Sequence, residues 1–397
     1  MLFERSKDEK TKKFYACSAC RDRKICDFYM DFKQLNSQKN DKFKLKIYKD
    51  QLKRINQDFS YERLVQVVKY PENQLRFCID CDLLVLKNQD HRNHKVMNNL
   101  TKDSLKRPSL LLKTLLSNNS EAQYFFTDSC VQFIVNLIKD RKYKHVICIG
   151  TPRLHEYIQN ENFNIQSILL DIDYRYKQFY PNHQFFHYNM FNNHFFDGQT
   201  AHNQFVKFIS TNEKFVVLID PPFGGLIQPL AYSIKEITSI WKKHHNSTNE
   251  LVPLMLFYPY FNEHHIMTHL PTVNMSDYIV NYENHNKFAQ NTRKYGSPIR
   301  LFTNIPLAKI ILPKSDGYHY CNKCQRFISK LNKHCKKCNS CTSKDGREYN
   351  HCDICNRCFK SSWTHCNECN RCELAESCHK RSIESNSNIY KRKKLNK

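Results

Sequence analysis

Between residues 321 and 379 the unit His-Cys-x2-Cys-x2-Cys occurs three times, and no other feature restricts the folding of this chain as much. The copies are His334/Cys335/Cys338/Cys341, His351/Cys352/Cys355/Cys358 and His365/Cys366/Cys369/Cys372. Cys321-x2-Cys324 precedes them, and Cys378-His379 closes the series. Few aliphatic residues lie between the copies, so metal must stand in for a hydrophobic core. Each structural zinc contributes on the order of 10–16 kcal/mol to folding. Three or four ions fit the donor supply, and spacing alone leaves open which donors share an ion. A redox-active thiol cluster is the competing reading.

The chain has 397 residues and 19 cysteines, and outside that segment the cysteines are sparse. No N-terminal stretch joins a basic start to an apolar core and a small-residue cleavage site, so secretion is not expected. Cys-x-x-Cys pairs beside histidines then read as zinc sites rather than disulfides. Cys78-x2-Cys81-x9-His91-x2-His94 offers four donors in two pairs, suited to a closed tetrahedral site. Its inter-pair gap is shorter than in fingers that read the DNA major groove. No apolar run approaches the roughly 20 residues that span a bilayer, so no membrane partner is expected. With 62 Lys+Arg against 38 Asp+Glu, the net charge of +24 favours a polyanionic partner, since basic side chains release counterions from phosphates. An intracellular, basic, zinc-binding protein is expected.

Residues 96–315 carry most of the aliphatic side chains and alternate short apolar runs with longer amphipathic ones. The expected strands are "HVICIG" at 145–150, "SILLDI" at 167–172, "FFHYN" at 185–189 and "FVVLID" at 215–220. Further strands are expected at 254–259, 277–282 and 299–304, with 308–313 able to pair with the last as a hairpin. Helical patterns cover 129–140 and 229–244. Such alternation implies an α/β domain, a mostly parallel seven-stranded sheet covered by helices on both faces. Ligands of these sheets bind beyond the carboxyl ends of the strands, where Gly150, Asp171, Asn189 and Asp220 fall.

The fourth of these strands runs into Asp220-Pro221-Pro222-Phe223 and then Gly224-Gly225. Two successive prolines fix φ near −65° and supply no N–H, which leaves their carbonyls as rigid acceptors. A carboxylate, a fixed carbonyl and an aromatic face suit an exocyclic amine on a flat ring. The amine donates to Asp220 and to the Pro221 carbonyl, while Phe223 stacks on the base for about 1–3 kcal/mol. The glycines let a substrate approach the backbone closely. A plain proline turn after a core strand is the competing reading.

This motif resembles that of the amino-methyltransferases that carry Asp/Asn/Ser-Pro-Pro-aromatic, in particular their N6-adenine branch. The resemblance implies a Rossmann-like class I methyltransferase fold that binds S-adenosyl-L-methionine, with in-line displacement at the amine. It also implies that Gly150, Thr151, Pro152 and Arg153 form the cofactor loop, although no G-x-G-x-x-G is present. Pro152 opens a helix whose N-terminus faces the cofactor. Asp171 takes the ribose hydroxyls; Asp173 is the alternative, or caps the segment starting at Tyr174. Asn189 reaches the cofactor's adenine or is an ordinary turn residue. Glutamine methyltransferases more typically begin the motif with Asn.

The N-terminal strings "FYAC" and "CDFYMDF" resemble the second half of a GRF-type zinc finger, with Cys17 and Cys26 as ligands and Cys20 as an alternative third. The Cys-x-His pair of its first half has no counterpart in this chain. The whole order of elements resembles the zinc-finger CCHC-domain-containing rRNA N6-adenosine methyltransferases. The strings "IGTPRLHE", "LLDIDYRYKQFY", "NMFNNHFFDG" and "GSPIRLFTNIP" support this. The expected domains are a partial GRF-type finger (1–34), a linker helix with the C2H2 zinc site (35–95), the methyltransferase domain (96–315), a multi-zinc domain (316–380) and a basic tail (381–397). The resemblance implies structured large-subunit rRNA as partner, and residence in nucleus, nucleolus and cytoplasm. The tail's "KRKK" at 391–394 reads as a nuclear address, a phosphate contact or plain solvated charge. Since the motif reads the base and not the sugar, messenger RNA and DNA stay open as substrates. A catalytically inactive zinc-dependent RNA-binding protein is the other alternative.

Overall fold

The computed structural model describes residues 2–7, 10–17, 29–33, 42–114, 123–161, 163–222, 224–245, 251–284 and 297–374. Its central sheet contains β1 (His145–Ile149), β2 (Gln166–Asp171), β3 (Phe185–Asn189) and β4 (His194–Phe195). It continues with β5 (Phe215–Ile219), β6 (Leu254–Pro259), β7 (Asn274–Ile279) and β8 (Ile299–Thr303). The spatial order is β4-β3-β2-β1-β5-β6-β8-β7. Strands β3, β2, β1, β5 and β6 run parallel, while β4 and β8 are antiparallel to their neighbours. The sheet is therefore mixed but still mostly parallel, as expected, and it has eight strands rather than seven because the chain after β3 folds back at once as β4.

Every residue of β1, β5 and β6 is buried, as expected of central strands covered on both faces. Their side chains divide between two cores. Val146, Cys148, Val216 and Leu218 pack with Ile134 of α1 (Asp128–Asp140) and Leu154 of α2 (Pro152–Asn160). Ile147, Ile149, Val217 and Ile219 pack with Phe205 of α3 (Gly198–Ile209) and Ile234 of α4 (Ile227–His245). The period of two along each strand thus feeds one helical layer on each side. No helix of the described residues is long and apolar enough to cross a membrane.

Residues 308–313 do not form the expected hairpin. Leu307–Lys309 is a 3-10 turn, and β8 already has β6 on one side and β7 on the other, so no free edge is left. Ile310 and Leu312 are instead buried in the core, with Ile311 exposed between them. The strand expected at 277–282 lies three residues earlier, as β7, with a register irregularity between Met275 and Ile279.

Zinc-type elements are packed onto this domain at two places. Phe77–Cys78, Leu83–Leu84 and Val96–Met97 form a small sheet, and Phe77 and Leu84 enter the same core as α1. Gln178 seals the joint: its Oε1 accepts from the Leu84 N–H at 2.9 Å and its Nε2 donates to the Asp82 carbonyl at 2.8 Å. At the other end, residues 319–373 make four two-stranded hairpins in succession. The first is fixed to the edge strand β7 through the buried carboxylate of Asp277. That carboxylate accepts from the Ser329 N–H at 2.9 Å and from Asn332 Nδ2 at 2.8 Å, with Arg326 at 3.6 Å. A sheet edge that would otherwise invite pairing is thereby covered. Replacing Asp277 with alanine strands these donors away from water and is expected to cost roughly 3 kcal/mol. A urea-denaturation midpoint within error of the parent would contradict this anchoring.

Candidate active site and metal centres

Strands β1 and β5 are neighbours, and the chain leaves them in opposite directions across the sheet, so their carboxyl ends form the switch point where such folds bind ligands. Their adjacency brings Gly150 and Asp220 together. The Asp220 N–H donates to the Ile149 carbonyl at 3.1 Å. Gly150 has φ +63°, and a Cβ there would lie 2.8 Å from the Asp220 carbonyl oxygen and 2.9 Å from Met190 Cε. Only glycine fits both demands. Thr151 follows, buried, with no hydrogen-bond partner for its hydroxyl oxygen, and Pro152 occupies the first turn of α2.

Asp220 is half-buried just after the end of β5, and Tyr282 donates a hydrogen bond to its Oδ1 at 2.8 Å. Burial pushes its pKa well above the usual carboxylate range, partly offset by that hydrogen bond. Burial also raises the Tyr282 phenol, followed by the charge of Asp220, so Tyr282 stays the donor. Tyr282 stacks on Phe126 with ring centroids 5.2 Å apart and forms an isolated bridge with it. The early end of β7 releases Tyr282 from the ladder and turns it to Asp220. Sequence reading placed this tyrosine in a strand and missed it as a site residue.

Pro221 is buried and Pro222 half-buried, and the Gly225 N–H donates to the Pro222 carbonyl at 2.9 Å. Phe223 lies outside the described residues. Gly224 has open space around it, whereas a Cβ on Gly225 would meet the Phe191 ring at 2.4 Å. Gly225 therefore serves internal packing rather than substrate approach. Its carbonyl accepts from Tyr258 Oη at 2.5 Å, a second tyrosine that the motif alone did not reveal.

The remaining cofactor-side residues are placed as follows. Asp171 ends β2, buried, and its Oδ1 accepts from the Asp173 N–H at 2.9 Å. Burial, then the charge of Asp173, raises its pKa to about 7. Asp173 is committed to Arg175, at 2.8 Å to Nε and 2.7 Å to Nη2, and Arg175 reaches Asp82 at 3.0 Å. Asp173 also accepts from the Arg175 N–H and so starts the 3-10 turn Tyr174–Gln178. Arg153 points to protein anions, pairing with Asp128 at 2.9 Å and with Glu283. The Asn189 Oδ1 accepts from the Phe191 N–H at 2.9 Å and holds the turn after β3.

Four groups of donors are assembled for metal: Cys78/Cys81/His91/His94, Cys321/Cys324/His334/Cys341, Cys335/Cys338/His351/Cys358 and Cys352/Cys355/His365/Cys372. Within each, the donor atoms lie within 4.8 Å of one another. His94 Nδ1 is 3.1 Å from Cys81 Sγ, and Cys338 Sγ is 3.2 Å from His351 Nδ1 and 3.6 Å from Cys358 Sγ. Such spacings suit a tetrahedron with metal bonds of about 2.0–2.3 Å, and the sulfur–imidazole sets fit zinc. The three tail sites are interleaved. Each takes a Cys-x-x-Cys pair from one unit and the histidine and last cysteine from the next.

The residue after the second cysteine of each pair is left-handed: Asp82, Gln325, Asn339 and Asn356 have φ of 54°, 50°, 47° and 49°. Asn370, after Cys366 and Cys369, has φ 50° as well. That pair thus has the backbone turn of a metal knuckle, though no group of four among the described residues includes it. Cys378 and His379 lie outside the described residues, as do Cys20 and Cys26. Cys17, half-buried after the strand Lys10–Ala16, belongs to no such described group.

Residues 117–304 match the family model described as "Probable N6-adenine methyltransferase". The human protein named rRNA N(6)-adenosine-methyltransferase ZCCHC4 is 41% identical over 342 residues, which cover 82% of this chain and 66% of the human protein. The Bos taurus protein of that name is 42% identical, with 82% and 66% covered. The Xenopus laevis protein of that name is 41% identical, with 82% of this chain and 69% of its own length covered. This chain thus spans slightly less than two thirds of the human and bovine relatives. With an Asp-Pro-Pro turn at the β1/β5 switch point, four zinc-type clusters and these relatives, the chain belongs to the N6-adenine methyltransferase family.

Proposed function

We propose that this protein transfers a methyl group from S-adenosyl-L-methionine to N6 of an adenosine in structured large-subunit rRNA. The observation that carries the reading is Asp220, placed at the carboxyl end of β5 beside Gly150 and held by Tyr282. The residues around Gly150 fit the methyl donor: a positive-φ glycine, an orphaned Thr151 hydroxyl and the buried Asp171 carboxylate line one strand-end surface. When bound, S-adenosyl-L-methionine supplies an electrophilic methyl on a sulfonium.

Asp220 and the Pro221 carbonyl accept the two N–H groups of the adenine amine, which turns its lone pair out of the ring plane. Bound S-adenosyl-L-methionine would supply the methyl, its methyl–sulfur bond breaking as the N6–C bond forms, and N6 would then have one proton to shed. Asp220 is the carboxylate on hand to take it, and its raised pKa makes it a better acceptor than an ordinary aspartate. Positioning supplies most of the acceleration. The fixed Tyr282 hydrogen bond holds the carboxylate in one rotamer. The zinc-bearing hairpins, anchored at Asp277, present the RNA.

The deciding experiment measures transfer of a tritiated methyl group to ribosomal RNA, messenger RNA and DNA by purified protein. Incorporation into N6-methyladenosine of large-subunit rRNA is expected; equal incorporation into all three would remove the substrate assignment, and none would remove the activity. Gly150→Ala tests the cofactor loop separately. The new methyl meets the Asp220 carbonyl at 2.8 Å on a backbone that L-residues adopt at a cost of roughly 1–2 kcal/mol. Calorimetric titration is expected to show at least about tenfold weaker S-adenosyl-L-methionine binding. Unchanged affinity would remove Gly150 from the site.

A further inference from the structure

The third tail site carries a groove that the catalytic reading leaves without a role. A cavity of about 780 Å³ opens between the hairpins Tyr349–Lys360 and Thr364–Glu373, lined in part by Ile354, Arg357, Phe359, Trp363, Arg371 and Leu374. This is within the range of small-ligand sites. Phe359 and Trp363 are stacked, with ring centroids 6.1 Å apart and planes inclined by 27°. Arg357 lies over Phe359 at 4.6 Å from the ring centroid. Lys360 lies 5.4 Å from the centroid of Trp363 but is shared with Asp345 at 3.5 Å. Among the described residues, neither Arg357 nor Arg371 makes an ion pair with an acid. Ile354 and Leu374 are 65% and 51% exposed at the groove.

We propose that this groove takes an unpaired nucleobase of the RNA, stacked on the half-buried Trp363 ring, which the buried Phe359 backs, with Arg357 and Arg371 on its phosphates. The proposal rests on the reading of RNA as substrate and adds where an unpaired nucleotide is gripped. One aromatic face, Trp363, flanked by two guanidinium groups matches a base and its phosphates, because every base has a π-face and the backbone is anionic. The chain's own C-terminal segment is the alternative occupant. Its run of four basic residues at 391–394 is mismatched in charge to a groove whose Arg357 and Arg371 outnumber its one acid, Glu373.

The chain has two tryptophans, and Trp241 is in the core, so a full-length Trp241→Phe protein makes Trp363 the sole reporter. A short unpaired RNA oligonucleotide is expected to quench its emission saturably, and a duplex of equal length to do so much less. Trp363→Ala, read by anisotropy of labelled RNA, is expected to weaken binding roughly 5- to 100-fold and to raise KM for RNA with kcat unchanged. The paired change Arg357→Ala with Arg371→Ala is expected to lower the salt dependence of binding, with the zinc-to-protein ratio unchanged. Should Trp363→Ala shed zinc, the quenching and the arginine pair decide. The proposal is overturned if unpaired RNA leaves the emission unaltered, or if a synthetic peptide of residues 375–397 quenches it and RNA does not. Asp220→Ala protein is expected to be quenched as fully as the parent, so a failed methyl-transfer reading and a failed groove give different results.

Discussion

Asp220→Ala is expected to lower kcat for methyl transfer by at least about 10³-fold while leaving zinc content and the far-ultraviolet spectrum intact. Asp220 follows the last residue of β5 and is only half-buried as a residue, so its loss removes no apolar packing. Its raised pKa makes two further outcomes follow. First, the carboxylate is the competent form, so kcat/KM should rise with pH along an acidic limb centred above the ordinary aspartate value of about 3.9. Tyr282→Phe removes the one hydrogen bond that lowers this pKa and should move that limb further up. Second, an acid whose folded pKa exceeds its unfolded one leaves stability unaffected below the unfolded value. Its cost then grows as pH rises towards the folded value and is complete above that. Asp220→Asn should therefore melt higher than the parent near neutral pH and equally at about pH 3. A fully active Asp220→Ala protein, or an Asp220→Asn protein that gains nothing at neutral pH, contradicts the role assigned to this carboxylate.

Cys338→Ser is expected to release more than one zinc ion. Cys338 belongs to the second tail site, but its hairpin His334–Cys341 also supplies His334 and Cys341 to the first site. The hairpin Tyr349–Lys360 likewise supplies His351 and Cys358 to the second site and Cys352 and Cys355 to the third. With ~10–16 kcal/mol of folding energy in each ion and little apolar core, a lost ion frees the hairpins on both sides of it. Elemental analysis should show the zinc-to-protein ratio falling by two or more, whereas Cys81→Ser should remove a single ion. A loss of one ion in both variants would mean the tail sites are energetically independent.

Much of the site was readable from residue type and period. The uninterrupted apolar runs gave β1, β5 and β6 nearly to the residue, because central strands need apolar side chains on both faces. Asp220 at a strand end and Pro152 at a helix start followed from the same local rules. The 308–313 run misled for a plain reason: its alternation reports burial of Ile310 and Leu312, and burial does not require a ladder. Tyr282 was hidden because its role depends on β7 stopping at Ile279.

The amino-acid order by itself determined the donor types, the knuckles and the turn that ends β5, since each depends on residues within a few positions of one another. Tertiary structure alone decided which cysteines share an ion, that Asp173 is spent on Arg175 while Asp171 is left at the strand end, and that Tyr282 holds Asp220. The Asp220–Tyr282 contact joins residues 62 positions apart and the widest tail donor set runs from Cys335 to Cys358, so the packed sheet and the paired hairpins, not local spacing, select them.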